Sequence, residues 1–580
     1  MNSIMEVSPK YPRWIEPVGI DVEKAEALAK ELNISLPLSQ LLFRRGICTF
    51  DAAKKFFRPS LSDLHDPFLM KDMDRAVARL MGAIENEERI MIYGDYDVDG
   101  TTSVALVYSF LSTFYSNLLY YIPDRYKEGY GVSLAGMHWA KEKGVDLIIS
   151  LDCGIKSFAA ITLCNELGMD FIVCDHHKPD ETALPPAYAI LDAKRSDCEY
   201  PYKELSGCGV GFKLLTAFCL KTGRPFEELL PFMDLVVISI AADIVPITGE
   251  NRVLAYHGLK QLNVSNRVGI RALIKVAGFK KDLNISNVVF GLAPRINAAG
   301  RIDHAFGALE LLLEEDESLV TDRATQVDDM NSSRKDFDSR ITEEAIAMIE
   351  AEGQSNARTT VLFKEDWHKG VIGIVASRCI EKYYRPTIIL TESHGLATGS
   401  ARSVRGFDLH EAISQCEDLL EQFGGHMYAA GLTLKKENIP AFKAKFEQVV
   451  AASIKEHMLE ASLEIDEEIP VSRITDKFFQ IVEQMAPFGP GNMQPVFVVR
   501  QVKAKAVRLL KEQHLKFEVC CPDTGQRISA IGFQMAEFYK GMEDGKTFDL
   551  CFQIQENEYL GKKTLQLLVK DIKFVEELSA

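Results

Sequence analysis

Short apolar runs alternate with segments of helical periodicity between residues 89 and 192. The runs cover 89–93, 117–122, 146–151, 170–174 and 188–191. This alternation predicts parallel strands joined by helical crossovers. From Gly209 the pattern turns mainly helical. Leu319 to Glu350 contains no Gly or Pro, and Ala324, Val327, Met330, Phe337, Ile341, Ala345 and Met348 recur at helical spacing. Such a helix runs on the order of 45 Å, long enough to join two domains. Its polar face, with Arg334 and Lys335, either lines the space between them or is plain solvated surface. A second α/β pattern covers Thr359 to about Ser453, and after Ser462 short β-patterned segments (496–499, 503–510, 514–520, 527–532, 548–555, 564–569) predict a small barrel or sandwich. Residues 1–85 look helical, and no internal repeat appears. The expected fold class is therefore multidomain α/β. Its segments are a helical amino terminus (1–85), a parallel-sheet domain (86–250), a helical region with the long connecting helix (251–355), a second α/β domain (356–458) and a β-barrel (459–580).

Composition changes this picture little. At 580 residues the chain exceeds one hydrophobic core. Apolar content of 47% and charged content of 26% are ordinary for a globular protein. No apolar run approaches the roughly 20 residues that span a bilayer, and Met1 to Pro12 carries no apolar signal core, so a cytoplasmic protein without membrane contact is expected. The twelve cysteines include no CxxC pair, and Cys153, Cys164, Cys174, Cys208 and Cys219 sit in apolar or glycine-rich runs, as buried reduced thiols do. A formal charge of −17 argues against a protein that coats nucleic acid. That argument is weak for an enzyme whose metals supply local positive charge.

Three of the apolar runs end in acidic turns. Ile90-Met91-Ile92-Tyr93 leads into Gly94-Asp95-Tyr96-Asp97-Val98-Asp99-Gly100, Leu147-Ile148-Ile149-Ser150-Leu151 into Asp152-Cys153-Gly154, and Phe171-Ile172-Val173-Cys174 into Asp175-His176-His177. Ligands of open parallel sheets gather at the carboxyl ends of the strands, so these turns should share one crevice. Like charges a few ångströms apart repel strongly, and the simplest object that lets them coexist is a pair of divalent cations. Asp95, Asp97 and Asp99 alternate, which in an extended loop aims them the same way. Asp152 is placed to bridge two ions, His176 and His177 can offer neutral imidazole nitrogens, and Asp243, before Pro246 at the end of an apolar helix, is the candidate last ligand. A lone acidic turn is most simply an Asx turn or helix cap; three after successive strands are not. An oxygen-rich set with imidazole suits Mn²⁺ or Mg²⁺ better than Zn²⁺. Two such ions roughly 3.5–4 Å apart would activate water and hold a scissile phosphate.

Asp175-His176-His177, with Asp97 and Asp99 upstream and Asp152 between, resembles the DHH phosphoesterase superfamily. Within it, the closer likeness is to bacterial single-strand-specific 5′→3′ DNA exonucleases and runs essentially end to end. It is carried by Ser206-Gly207-Cys208-Gly209-Val210-Gly211-Phe212-Lys213, Arg295-Ile296-Asn297-Ala298-Ala299-Gly300-Arg301, Trp367-His368-Lys369-Gly370-Val371-Ile372-Gly373, Gly424-Gly425-His426-Met427-Tyr428-Ala429-Ala430-Gly431 and Pro487-Phe488-Gly489-Pro490-Gly491-Asn492. The resemblance implies metal ligation by Asp97, Asp99, Asp152, His176 and Asp243, with Asp95 as a further ligand, and a His177 that either ligates or orients phosphate. It implies a DHH-associated substrate domain in which Gly425 and His426 approach phosphate and Ser400 and Arg402 grip it. Ala401 stands where the family has glycine. Arg295 and Arg301 are candidates for the 5′-terminal phosphate or for structural ion pairs. An OB-fold is implied at the carboxy terminus, where Lys503, Lys505 and Arg508, with Lys511 and Phe517, either combine phosphate contacts with base stacking or form a charged solvent face.

The implied activity is two-metal hydrolysis of single-stranded DNA from its 5′ end, releasing 5′-mononucleotides, in recombination and repair. Asp97, Asp99, Asp152, His176, His177 and Asp243 would be its catalytic residues and two divalent cations, Mn²⁺ or Mg²⁺, its cofactors. The implied partners are single-stranded DNA, a helicase and a single-strand-binding protein, with the chain itself monomeric. Rival readings are a phosphodiesterase for short oligonucleotides or cyclic dinucleotides, and an inactive scaffold built on the same fold.

Overall fold

The apolar runs of the first α/β block all become strands, displaced by no more than a residue or two. The computed structural model describes residues 12–180, 182–302, 305–353, 357–521, 524–559 and 561–575. It divides into two compact units. One comprises Thr49–Ser332 and Gln484–Gln494; the other comprises Met1–Cys48, Ser333–Glu483 and Pro495–Ala580.

In the first unit the strands are β1 (Ile90–Gly94), β2 (Leu118–Tyr121), β3 (Leu147–Leu151), β4 (Asp170–Cys174) and β5 (Ala189–Leu191). They form a five-stranded sheet in the order β2-β1-β3-β4-β5, with every pair parallel. Parallel sheets are stable when both faces are covered, and here alternate residues of one strand enter two different cores. Ile90, Ile92, Leu147, Ile149 and Leu151 join a core with α1 (Val98–Ser112), α2 (Gly207–Thr222) and α3 (Met233–Ala242). Met91, Tyr93, Ile148, Phe171 and Val173 join Met137, Ala140 and Ile161 on the opposite face. Because both faces are buried, the strands read as continuous apolar runs and the acidic residues collect after their last residues.

The long helix exists as the spacing predicts: α4 covers Glu317–Ala351, 35 residues. Val320, Ala324 and Val327 are buried in the core of the first unit, and Ile341, Ala345 and Ile349 in a core of the second. Lys335 is exposed on it, whereas Arg334 is half-buried.

The second unit holds two larger sheets and a two-stranded one. In the mixed one, β6 (Thr360–Phe363), β7 (Thr387–Ser393), β8 (Leu396–Arg402), β9 (Gln422–His426) and β10 (Ala429–Leu434) lie in the order β9-β10-β8-β7-β6. In the other, β11 (Glu467–Glu468), β12 (Phe497–Val502), β13 (Ala504–Leu510), β14 (His514–Cys520), β15 (Arg527–Gly532), β16 (Phe548–Tyr559) and β17 (Lys562–Phe574) form a seven-stranded sheet in the order β11-β12-β16-β17-β15-β14-β13. The amino-terminal segment, read from sequence as one helical piece, is divided. The strand Arg13–Ile15 pairs in parallel with Ser462–Glu464, Trp14 Nε1–H donates to Asp571 Oδ2 at 2.6 Å, and Arg45 faces Asp466 at 3.3 Å. From Thr49 onward the chain belongs to the first unit.

One sequence expectation fails here. Phe517 cannot stack on a base, because it is 1% exposed and packs edge-on against Phe548. Along β14 exposure alternates, with Leu515, Phe517 and Val519 inward and Lys516 and Glu518 outward. Lys505 and Arg508 are exposed along the edge strand β13, and Lys503 is exposed just before it. Phe517→Ala should therefore destabilise this unit by about 3–5 kcal/mol, read as a lower unfolding midpoint. A variant with unchanged stability but weakened binding of single strands would restore the stacking role.

Candidate metal centre

Asp95 follows β1 directly and is buried, with Oδ1 accepting a long hydrogen bond from Gly131 N–H (3.5 Å) and Oδ2 without a hydrogen-bonding partner. Asp97 is the N-cap of α1, accepting from Gly100 N–H at 3.0 Å. The helix thus begins at Val98, and Asp99 sits in its first turn rather than on an extended loop. The alternation expected from sequence therefore does not account for the convergence of Asp97 and Asp99; cap and first-turn geometry does. Asp99 accepts from Gly207 N–H (2.7 Å), Cys208 N–H (2.8 Å) and Ser239 Oγ (2.7 Å). Two of these donors are the first amides of α2, whose dipole favours an anion at that end.

Asp152 adopts a left-handed backbone (φ 61) directly after β3. Gly207 packs so closely on it that a Cβ there would lie 2.5 Å from the Asp152 Cβ. Asp152 Oδ1 has no hydrogen-bond donor and lies 3.1 Å from His176 Nε2 and 4.0 Å from His177 Nδ1. His176, buried after β4, also lies 3.5 Å from Asp243 Oδ2 and 3.8 Å from Asp99 Oδ2, and neither of its ring nitrogens has a hydrogen-bond partner. Asp243 is the C-cap of α3. Two sets of potential ligand atoms result, Asp152–His176–His177 and Asp99–His176–Asp243, each within 4.8 Å. His177 differs from its neighbour: its Nδ1–H donates to Asp175 Oδ1 at 2.8 Å, and its Nε2 lies 3.1 Å from the Tyr130 hydroxyl.

Electrostatics follow from this crowding. Burial, and then the charge of Asp97, push Asp95 well above the usual carboxylate range. Burial and the charges of Asp99 and Asp97 do the same to Asp152 and Asp243. Asp97 is raised by burial and Asp99. Burial lowers His176, keeping its imidazole neutral. His177 is raised to about 9: burial opposes its charge, but the hydrogen bond to Asp175 and that residue's charge outweigh it. Asp175 is held near about 2 despite burial, chiefly by His177. Buried polar atoms are normally hydrogen-bonded. Here, among the described residues, Asp95 Oδ2, Asp152 Oδ1 and both His176 nitrogens lack donors and acceptors. An oxygen-rich set with one neutral imidazole and orphaned lone pairs fits hard divalent cations.

The residues that the resemblance assigns to phosphate in the second domain lie in the second unit. On β8, Ser400 and Arg402 lie on the half-open face and Arg402 Nη1–H donates to Ser400 Oγ at 2.9 Å. Ala401, where the family has glycine, turns its methyl into the core and leaves that face clear. His426 is exposed at the end of β9, and the register runs His426–Ala429–Arg402 across β9, β10 and β8, so His426 and Arg402 share a face. Gly425 (φ 150) lies against Ala429 and Ala430 of β10, where a side chain would collide. Gly373, in the first turn of α5 (Ile372–Tyr383), has no role assigned from sequence, yet a Cβ there would lie 2.8 Å from both Ser400 Oγ and Arg402 Nη2. In the first unit, Arg295 donates from Nε to Asp328 at 2.8 Å and from Nη1 to Gly291 O at 2.7 Å, the ion-pair alternative. Arg301 lies beside the acidic turn: Gly300 packs against Tyr96 O, and the Arg301 charge is felt by the Tyr96 hydroxyl. The residues missed from sequence, Ser206–Cys208, Ser239, Tyr130 and Gly373, act through backbone amides, hydroxyls or lack of a side chain. Only the glycines gave a signal.

Family models match three stretches: "DHH family, N-terminal domain" over 89–240, "DHHA1 domain" over 356–452 and "RecJ OB domain" over 465–571. The chain is 38% identical to the single-stranded-DNA-specific exonuclease RecJ of Bacillus subtilis, covering 95% of this chain and 70% of that protein. It is 34% identical to the protein of that name from Haemophilus influenzae, covering 89% and 93%. Among solved structures it is similar to RecJ from Thermus thermophilus in complex with Mn²⁺, with a TM-score of 0.85 at 27% identity over 98% of this chain and 80% of the other. It is also similar to the Mg²⁺ complex of that protein, with a TM-score of 0.79 at 25% identity, over 97% of this chain and 79% of the other.

The raised carboxylates set the pH behaviour. Asp95, Asp97, Asp152 and Asp243 bind protons more tightly folded than unfolded, so without cations their contribution favours the fold in acid and is lost as pH rises through their raised values. Cations need the deprotonated forms. Uptake of Mn²⁺ should therefore release protons and tighten about tenfold per pH unit for each proton released. Calorimetry in buffers of different ionisation enthalpy reads both; affinity independent of pH would contradict the arrangement.

Proposed function

The chain belongs to the RecJ exonucleases of the DHH family, and from that premise we propose that it digests DNA strands from the 5′ end, releasing 5′-mononucleotides at a pair of divalent cations. It is a metal-dependent, single-stranded-DNA-specific exonuclease. The observation that carries the reading of its chemistry is the set of buried, orphaned lone pairs on Asp95, Asp152 and His176, surrounded by carboxylates that burial disfavours as anions.

Asp95, Asp97, Asp99, Asp152, His176 and Asp243 would hold the cations, which would supply Lewis-acid charge and lower the pKa of a water. The chain's own groups do the rest. Asp152 Oδ1 faces both histidines, and His176 is common to the two ligand sets. The amides of Gly207 and Cys208 donate to Asp99 and fix the direction of its carboxylate. His177, cationic at neutral pH and fixed by Asp175, keeps a proton at Nε2, now facing the Tyr130 hydroxyl, to offer to a phosphate oxygen. Arg301, beside the acidic turn with Arg125, is assigned to an incoming phosphate. Arg402, Ser400 and His426, on one face of their sheet, take the terminal phosphate. Lys503, Lys505 and Arg508 along the exposed edge hold downstream phosphates, a contact that salt weakens.

A single-strand substrate must first be opened and kept from refolding, so a helicase and a single-strand-binding protein are the proposed partners in recombination and repair. The proposed enzyme is monomeric and cytoplasmic; among the described residues no helix is long and apolar enough to cross a membrane.

Two outcomes follow. Asp152→Asn should fold normally yet cut no faster than the chelator-treated enzyme, with oligonucleotides labelled at the 5′ end releasing mononucleotide first. Release from the 3′ end would refute the polarity. Arg402→Ala should raise KM on 5′-phosphorylated strands by about tenfold or more, as loss of a charge-assisted contact does, and leave 5′-hydroxyl strands nearly unaffected. An equal effect on both would deny it the terminal phosphate.

A further inference from the structure

The motif Pro487-Phe488-Gly489-Pro490-Gly491-Asn492 takes no part in the chemistry above, yet its place in the fold is unusual. Its flanks, up to Glu483 and from Pro495, belong to the second unit, whereas Gln484–Gln494 packs with the first. Within that unit it packs on Pro246-Ile247-Thr248, on the way from Asp243 to the helix Gly249–Asn263, and on Arg252 of that helix. Ile247 N–H donates to Pro490 O at 2.6 Å. Gly489 lies so close that a Cβ would sit 2.5 Å from Ile247 Cγ1, and a Cβ on Gly491 would sit 2.9 Å from Thr248 Cγ2. Arg252, 5% exposed, donates to Ala486 O (3.0 Å), Pro487 O (3.3 Å) and Phe56 O (2.9 Å).

The loop is also closed on itself. Asn492, 2% exposed, donates from Nδ2 to Met485 O and Pro487 O, both at 2.9 Å, and its backbone exchanges hydrogen bonds with Gly489 (2.8 and 3.0 Å). What it presses against is a strained turn. Ile244, next to Asp243, is a β-branched residue at φ 58 and 61% exposed, a conformation that costs energy and persists only where its surroundings hold it. Tyr202 and Asn251 add bonds to Pro246 O at 3.2 and 3.1 Å. Asp243 itself is the least buried member of the ion-pair set around His176, and its backbone is anchored at the end of α3 through one N–H to Ser239 O (3.0 Å). Its direction therefore depends on the turn that follows it.

We propose that Pro487–Asn492 is a positioning element of the metal centre, bracing Asp243–Thr248 so that the Asp243 carboxylate meets His176. Gly489 and Arg252 are its positioning residues: Gly489 because only a residue without a side chain lets Pro490 O reach Ile247 N–H, Arg252 because its guanidinium ties the loop to the helix beyond the turn. The inference rests on Asp243 being a ligand, as proposed above. Groups that support a ligand typically change metal affinity by 10–100-fold when altered.

The test uses the full chain. Mn²⁺ binding is measured by calorimetry and electron paramagnetic resonance for Gly489→Ala, Arg252→Lys, Asp243→Asn and each double variant with Asp243→Asn, alongside unfolding of the metal-free proteins. The expected result is binding weakened about tenfold in Gly489→Ala and Arg252→Lys, turnover regained at high Mn²⁺, and no further loss when either is added to Asp243→Asn. Losses that add to that of Asp243→Asn, or unchanged binding in both single variants, would overturn the proposal. If Gly489→Ala fails to fold, Arg252→Lys decides by the same criteria. Unchanged binding in Asp243→Asn itself would instead remove Asp243 from the metal set and take this inference with it, while weakened binding there with normal binding in the loop variants overturns the positioning role alone.

Discussion

The metal centre of the first unit is governed by mutual repulsion among buried and half-buried carboxylates. Asp99, Asp152 and Asp243 lie around one neutral imidazole, Asp97 adds its charge to Asp152 and Asp243, and Asp95 feels Asp97; two unit charges 4 Å apart repel by about 4 kcal/mol at an effective dielectric of 20. The protein partly offsets this for Asp99, with helix amides and a serine hydroxyl, and for Asp175, with a cationic histidine. It leaves Asp95, Asp152 and His176 with unanswered lone pairs. A fold that tolerates such a cluster is organised to accept cations there, and hydrolysis of a phosphodiester is the chemistry the arrangement supports.

The sheet explains why so many acids reach one place. Parallel strands buried on both faces have nowhere to carry a charged side chain except beyond their ends, and β1, β3 and β4 end side by side. The same rule makes Asp192, after β5, the fourth acid in the row; it is 0% exposed and raised to about 7 by burial, with Asp175 adding to the effect. α1, α2 and α3 then bring Asp99, the amides of Gly207 and Cys208, and Asp243 against that row from outside the sheet. Gly207 shows the closeness required, since no side chain fits between α2 and Asp152.

Much of this was legible in the residues. Apolar runs followed by Asp gave the strands and their order of use, and the absence of Gly and Pro after Leu319 gave the long helix. The histidine pair was legible as a pair, though not its division of labour, because only tertiary hydrogen bonds separate a neutral His176 from a charged His177. Asp99 comes near His176 by another route than the alternation suggested: helix α1 starts one residue after Asp97, so alternation does not apply. Phe517 was misread because period-two patterning says that alternate residues share a face without saying which face is buried. The pairing of Arg13–Ile15 with Ser462–Glu464, and the excursion of Gln484–Gln494 into the first unit, have no local signature. They are contacts between distant parts of the chain, decided by packing.

The measurement closest to the central claim is anomalous diffraction from crystals grown with Mn²⁺. Peaks are predicted within coordination distance of Asp152 Oδ1 and His176 Nε2, with Asp99 and Asp243 oxygens completing the shell. A map without anomalous density there, at Mn²⁺ concentrations that support hydrolysis, would contradict the account.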